Sequence, residues 1–150
     1  ELPGMSEAAA RGVGDAITQF VHLAMLDLAG IGNAVTQREA LRERIKQHVA
    51  EHLANPALSV DAIALALNCS RRQLYNAFAE EPDGVAGYIL HRRLDACRKA
   101  FDGAAYDRRS ITDIAFGNGF SNMAHFSRVF RAYLGVAPSD YRRSVGGLVA

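Results

Sequence analysis

The sequence holds very little cysteine and no long apolar run, and lysine is scarce. The two cysteines, Cys69 and Cys97, stand 28 positions apart, with no CxxC and no second pair. That excludes a disulfide framework or a zinc knuckle and makes a reduced, intracellular setting the expectation. No stretch approaches the roughly 20 uninterrupted apolar residues of a membrane-spanning helix. The longest apolar region, Ile17 to Ile31, is interrupted by Gln19, His22 and Asp27. No secretory signal pattern opens the chain and it has no initiator Met, so the expectation is a processed or truncated piece. Strand-type alternation is missing at any useful length, which leaves an all-α reading.

What is present suits one globular domain with an appendage. The chain has 150 residues, 49% of them hydrophobic and 22% charged. At that length about two-thirds of the unfolded surface can be buried, so a core needs neither metal nor disulfide. The net charge of +1 hides an asymmetry. Residues 1–37 carry Arg11 against four acids; residues 38–150 carry sixteen basic residues against twelve acids. Only Lys46 and Lys99 are lysines. Arginine offers a planar five-donor fork that matches phosphate and guanine edges, which points to a polyanion partner.

The periodicity divides the chain as 1–37, 38–84, 85–101 and 102–150. Residues 1–14 are small and glycine-bearing. A helix is expected from Asp15, with Ile17, Phe20, Val21, Ala24 and Leu28 at helical spacing and a stop at Gly30 and Gly32-Asn33. So apolar a helix needs a partner: the rest of the chain, a second copy or a further domain. Thr36 to Leu53 is the second helix, with Thr36 and Glu39 at capping-box spacing. Val60 to Leu67 follows, capped by Ser59; then come a turn at Asn68-Cys69-Ser70 and a helix from Arg71 to Glu80. Val85 to Phe101 is the longest helix, with Leu90, Leu94, Cys97 and Phe101 on one stripe. Ser110 caps Ile111 to Phe116, Gly117-Asn118-Gly119 turns the chain, and Ser121 or Asn122 starts a helix to Leu134. Gly135 ends it, and Pro138 to Arg142 reads as a last helical turn.

Two segments repeat one grammar. SVDAIALALNCSRRQLYNAF (Ser59 to Phe78) and SITDIAFGNGFSNMAHFSRVF (Ser110 to Phe130) align Ser59 with Ser110, Ile63 with Ile114, Ala64 with Ala115 and Ser70 with Ser121. After a one-residue insertion, Leu74 aligns with Phe126 and Phe78 with Phe130. A capped short helix, a tight turn and an amphipathic second helix make a helix-turn-helix. Leu74, Phe78, Phe126 and Phe130 are expected inside. That leaves Arg71, Arg72, Tyr75 and Asn76 outward on one second helix, and Asn122, Met123, His125, Ser127 and Arg128 outward on the other. These types suit a major groove: arginine can grip guanine, asparagine adenine, and tyrosine or methionine the thymine methyl. Ser59, Ser70, Ser110, Thr112, Ser121, Arg131 and Arg142 are the candidates for backbone phosphate. Arg92-Arg93 and Arg108-Arg109 read equally as phosphate contacts or as a solvated face or local pair with Asp95 or Asp107.

Those two segments, with YILHRRLDACRKAF between them and the closing run ITDIAFGNGFSNMAHFSRVFRAYLGVAPSDYR, resemble the DNA-binding domain of the AraC family of bacterial transcription regulators. The likeness spans about Leu41 to Arg143. It implies two homeodomain-like helix-turn-helix subdomains joined by a long helix, here Val85 to Phe101, and preceded by an extra N-terminal helix. It assigns recognition roles to the two outward faces named above. It further implies a regulator that is not an enzyme and needs no cofactor. The expected partners are promoter or operator DNA, RNA polymerase and a second copy, bound through the N-terminal helix or a missing sensor domain; no membrane is involved. The expected location is the cytoplasm, on the nucleoid. In one respect the chain departs from the family: Glu80-Glu81-Pro82-Asp83-Gly84 replaces the glycine-centred turn after the first recognition helix.

Two other function classes are weighed against this one. His48, Glu51 and His52 fit H-x-x-E-H, an inverted zincin pattern, but a hydrolase also needs a third ligand and a cleft, and short patterns arise by chance. Alternatively the outward faces could bind a protein.

Overall fold

The computed structural model describes residues 17–22, 24–25, 31–103 and 109–146, and all regular structure among them is helical. Contacts divide the chain into two units, 1–40 and 41–150. In the first, residues 17–22 and 24–25 form α1, which exposes Ile17, Phe20, Val21 and Met25. The expected stop at Gly32-Asn33 is absent, because both residues lie inside α2, Ile31–His52. A glycine within a helix costs only about 1 kcal/mol, which the surrounding turns absorb. Thr36 is no N-cap either: its hydroxyl donates to the Gly32 carbonyl one turn back, at 3.0 Å. Short hydroxyl side chains satisfy themselves in either way, so the capping-box letters were ambiguous. Asp15, Gly30 and Leu28 from the same expectation fall outside the described residues.

The second unit carries the last turns of α2, then α3 (Val60–Ala66), α4 (Arg71–Ala77), α5 (Gly84–Asp102), α6 (Ile111–Gly117), α7 (Met123–Leu134) and α8 (Pro138–Gly146). It contains two hydrophobic cores. Ile45, Val49, Leu58, Ile63, Leu74, Phe78, Val85 and Ile89 form the first. Leu94, Cys97, Phe101, Ile114, Phe120, Phe126 and Phe130 form the second. α5 therefore serves both cores, its N-terminal half lining one and its C-terminal half the other. Every inward pair of the repeat is buried as expected: Ile63 and Ile114, Ala64 and Ala115, Leu74 and Phe126, Phe78 and Phe130. The two small alanines sit where bulkier side chains would hold the short helices off the second ones.

Local chemistry sets the helix ends. The Ser59 hydroxyl accepts from the Ala62 amide and starts α3. Ser70 and Gln73 cap α4 reciprocally, as Ser110 and Asp113 cap α6. In the second copy the inserted residue moves the cap from serine to Asn122, whose side chain accepts from the His125 amide at 2.8 Å. Asn68 (φ 52°) and Gly119 (φ 87°) hold left-handed backbone in the two equivalent turns. α4 ends at Ala77, three residues before the expected Glu80, because the Phe78 amide closes a tighter turn on Tyr75 while its ring enters the core. α8 runs to Gly146, past the expected single turn.

Ser110→Ala is expected to cost about 0.5–2 kcal/mol of unfolding free energy, read from urea melts. The Ser110 hydroxyl and amide both donate to the Asp113 carboxylate, and these bonds hold its pKa below the ordinary 3.8. A depressed folded-state pKa means this contribution is present above the unfolded value and lost as pH falls through the folded one. The penalty of the substitution therefore shrinks in strong acid; a penalty constant down to the acid limit would mean that the hydroxyl's bond to the carboxylate contributes nothing beyond the cap on the Asp113 amide.

Candidate nucleic-acid interface

Each second helix buries one side and exposes the other. On α4, Leu74 and Ala77 are buried while Arg71, Arg72, Tyr75 and Asn76 are exposed, Tyr75 at 53%. Their circumstances differ. The Arg71 guanidinium is held by the Asp61 carboxylate of α3, with Nη2 donating to Oδ2 at 2.6 Å. Arg72 makes no side-chain hydrogen bond or ion pair among the described residues. Asp61 is thus an element of this surface that the sequence reading missed; its signal was an acid on the short helix ten positions before the arginine.

On α7, Phe126 and Phe130 are buried, while His125, Ser127 and Arg128 are exposed. Asn122 is exposed too, but its side-chain oxygen is engaged as the helix cap. Met123 departs from expectation. It is half-buried against the second core and does not stand outward. The inserted residue places Met123 at the first helical position, where its flexible thioether packs against the second core.

Of the phosphate candidates, Ser59, Ser70 and Ser110 are exposed and cap helices α3, α4 and α6. Thr112, Ser121 and Arg131 are exposed without a capping role, and Arg142 is half-buried on α8. Ser59, Ser121 and His125 line a common groove of about 580 Å³ that runs along α5 past Ala86, Leu90 and Arg93. The structure thus brings the start of α3 and the start of α7 to one opening.

Arg93, weighed from sequence as a phosphate contact, a solvated residue or a partner of Asp95 or Asp107, is engaged with backbone carbonyls. Its Nε donates to the Leu53 carbonyl (3.2 Å) and its Nη2 to the Asn55 carbonyl (2.7 Å). Burial lowers its pKa from the usual guanidinium value. Arg92 beside it is exposed. Arg109 is exposed, and Arg108 falls outside the described residues.

The remaining reactive groups have structural settings. His48 and His52 stack with ring centroids 4.2 Å apart. Glu51 accepts from the Gln47 amide at 3.0 Å. Among the described residues no three His, Cys, Asp or Glu side chains are grouped to hold a metal ion. The Cys97 thiol lies in the second core, where burial pushes its pKa up to about 12, too high for a thiolate nucleophile. Among the described residues no helix is long and apolar enough to cross a membrane.

Comparison with known proteins agrees with this architecture. A helix-turn-helix domain family matches residues 63–144. The transcriptional activator RhrA of Rhizobium meliloti is 35% identical over 130 residues, which cover 85% of this chain and 41% of that protein. The XylDLEGF operon transcriptional activator of Pseudomonas putida is 32% identical over 102 residues, covering 67% of this chain and 32% of that one. The chain thus spans well under half the length of these relatives. Among solved structures, the C-terminal domain of AraT, a response regulator from Geobacillus stearothermophilus, shares the fold (TM-score 0.63, 23% identity, 69% of this chain and 84% of that one). So does an AraC-type transcriptional regulator from Chromobacterium violaceum (TM-score 0.52, 26% identity, 79% and 94%). Family match, relatives and duplicated helix-turn-helix together show that the chain belongs to the AraC family of DNA-binding transcription regulators.

Proposed function

We propose that this chain binds a specific double-stranded DNA sequence by placing α4 and α7 in successive major grooves, one helical turn (about 34 Å) apart. The observation that carries this reading is the duplicated face. Arg72, Tyr75 and Asn76 stand exposed on one helix, and His125, Ser127 and Arg128 on the other, each opposite a fully buried side. Arg71, Asn122 and Met123 play a smaller part in base reading, being tied to Asp61, to the helix cap and to the core. Ser59, Ser70, Ser110, Thr112, Ser121, Arg131 and Arg142 meet the sugar–phosphate backbone and set the register. Straight DNA bends to meet both helices, at a cost on the order of 1–6 kcal/mol that the second set of contacts offsets.

Both relatives quoted above are named as transcriptional activators. That supports activation, with RNA polymerase as a protein partner and the nucleoid in the cytoplasm as the place of work. Residues 1–37 are read as the end of a sensor or dimerisation domain. The exposed Ile17, Phe20, Val21 and Met25 of α1 supply an apolar face for a second copy.

Selection from a random duplex pool tests the reading. The expected result is one motif in two parts about a turn apart, with an affinity that falls steeply as salt rises. An affinity indifferent to ionic strength, with no motif recovered, would point to a protein partner at these faces.

A further inference from the structure

Besides sharing α5, the two helix-turn-helix modules meet at a junction of Leu53, Arg93 and Gly119. Arg93 stands on α5 where the helix passes from the first core to the second, between Ile89 and Leu94. Its guanidinium reaches across to the segment that ends α2, where Leu53 and Asn55 each present a backbone carbonyl to it. Past the helix end the forked donor holds both carbonyls at once, and the Asn55 carbonyl also accepts from the Leu58 amide at 3.1 Å. Gly119, in the turn of the second module, closes the junction from the other side. Its backbone is buried and left-handed (φ 87°), and a β-carbon there would overlap the Leu53 carbonyl oxygen and come within 2.6 Å of Arg93 Nε. Three segments therefore meet without spare room: the end of the first module's α2, the shared helix, and the turn leading into α7.

From this junction we propose that Arg93 and Gly119 form a latch that fixes the separation and rotational phase of the two recognition helices. The latch, and not α5 alone, then sets the number of base pairs between the two halves of the DNA site. Arg93 is a positioning residue, its guanidinium held by two backbone carbonyls. A lone helix of 19 residues could bend or twist between the modules. A second tether some forty positions away in sequence removes that freedom. Each base pair added to a spacer moves the second half-site by about 3.4 Å and rotates it by roughly 35°, so a latched pair tolerates one spacing only. A lysine at 93 keeps the charge but has a single point donor and cannot hold both carbonyls.

The latch rests on the DNA reading above, and the test separates the two. Wild type, Arg93→Ala, Arg93→Lys and Gly119→Ala are each run through random-duplex selection, then titrated on duplexes with the selected spacing, with one base pair added or removed, and with one half-site alone. Thermal melts check that each variant folds. For wild type a single spacing is expected, with at least about a tenfold loss of affinity when it changes by one base pair. For Arg93→Ala the same two half-site motifs are expected at several spacings, with single half-site affinity unchanged and the one-base-pair penalty reduced to within about threefold. Arg93→Lys and Gly119→Ala are expected to loosen the spacing in the same direction. A wild-type pool with no two-part motif overturns the DNA reading and the latch with it. A two-part wild-type motif whose spacing stays just as strict in Arg93→Ala, or in Arg93→Lys should the alanine variant unfold, overturns the latch alone. Loss of a half-site motif in a folded Arg93 variant overturns it as well, since Arg93 would then be reading DNA.

Discussion

Phe130→Ala is expected to remove about 3–5 kcal/mol from the stability of the second unit. No part of Phe130 reaches solvent. Its ring lies 5.3 Å from Phe126, 5.6 Å from Phe101 in an edge-on arrangement and 5.7 Å from Tyr141. Three aromatic rings from three helices thus close around a single side chain. Truncation leaves a cavity that long, stiff rings cannot collapse to fill. Area burial alone accounts for about 1.5–3 kcal/mol of the loss, and the cavity and the lost ring contacts supply the remainder. Urea denaturation followed by circular dichroism reads the effect. A loss below about 1 kcal/mol would mean that the cluster repacks and is not the organising centre of this core. Among the described residues the matching Phe78 of the first module has one ring neighbour, Tyr88 at 5.4 Å. Phe78→Ala is accordingly the milder of the two.

The second large effect is on binding. Arg72→Ala and Arg128→Ala are each expected to weaken the specific complex by about 1–3 kcal/mol, and together by roughly the sum, since they lie on separate modules. Both guanidiniums are exposed on outward faces. Arg71→Ala should cost less than Arg72→Ala, because Arg71 must first leave the Asp61 carboxylate that holds it. That exposed pair is itself worth no more than about 1 kcal/mol, so it lowers the gain without abolishing it. Fluorescence anisotropy on the selected duplex and on random duplex reads the difference. A loss of equal size on both would make Arg72 and Arg128 backbone contacts, and the base-reading assignment would fall.

How much of this was legible in the sequence follows from the range over which each cause acts. The repeat register was legible because burial imposes a period: Ile63 with Ile114 and Leu74 with Phe126 had to be apolar wherever the modules sat. The caps at Ser59 and Ser110 were legible because a short side chain bonds an amide three positions on, whereas Ser121 and Asn122 both fit that rule and only the folded chain chooses Asn122. Thr36 failed for the same local reason, since its hydroxyl could serve a carbonyl one turn back just as well. Met123 failed because an inserted residue rotates the start of α7 toward the core, and letters alone do not say which side of a helix its first residue faces. Arg93 and Asp61 were illegible in role. Nothing near Arg93 in sequence announces two carbonyls some forty positions earlier, and only the folded chain brings Asp61 to Arg71.

The sharing of α5 has one more consequence. The helix lends Val85 and Ile89 to one interior and Leu94, Cys97 and Phe101 to the other, so neither half of the duplication owns all of its filling. A recombination breakpoint or protease nick anywhere along it would strand a greasy strip on one fragment and leave a hollow in its sibling. Either interior stays filled only while the helix is intact from end to end.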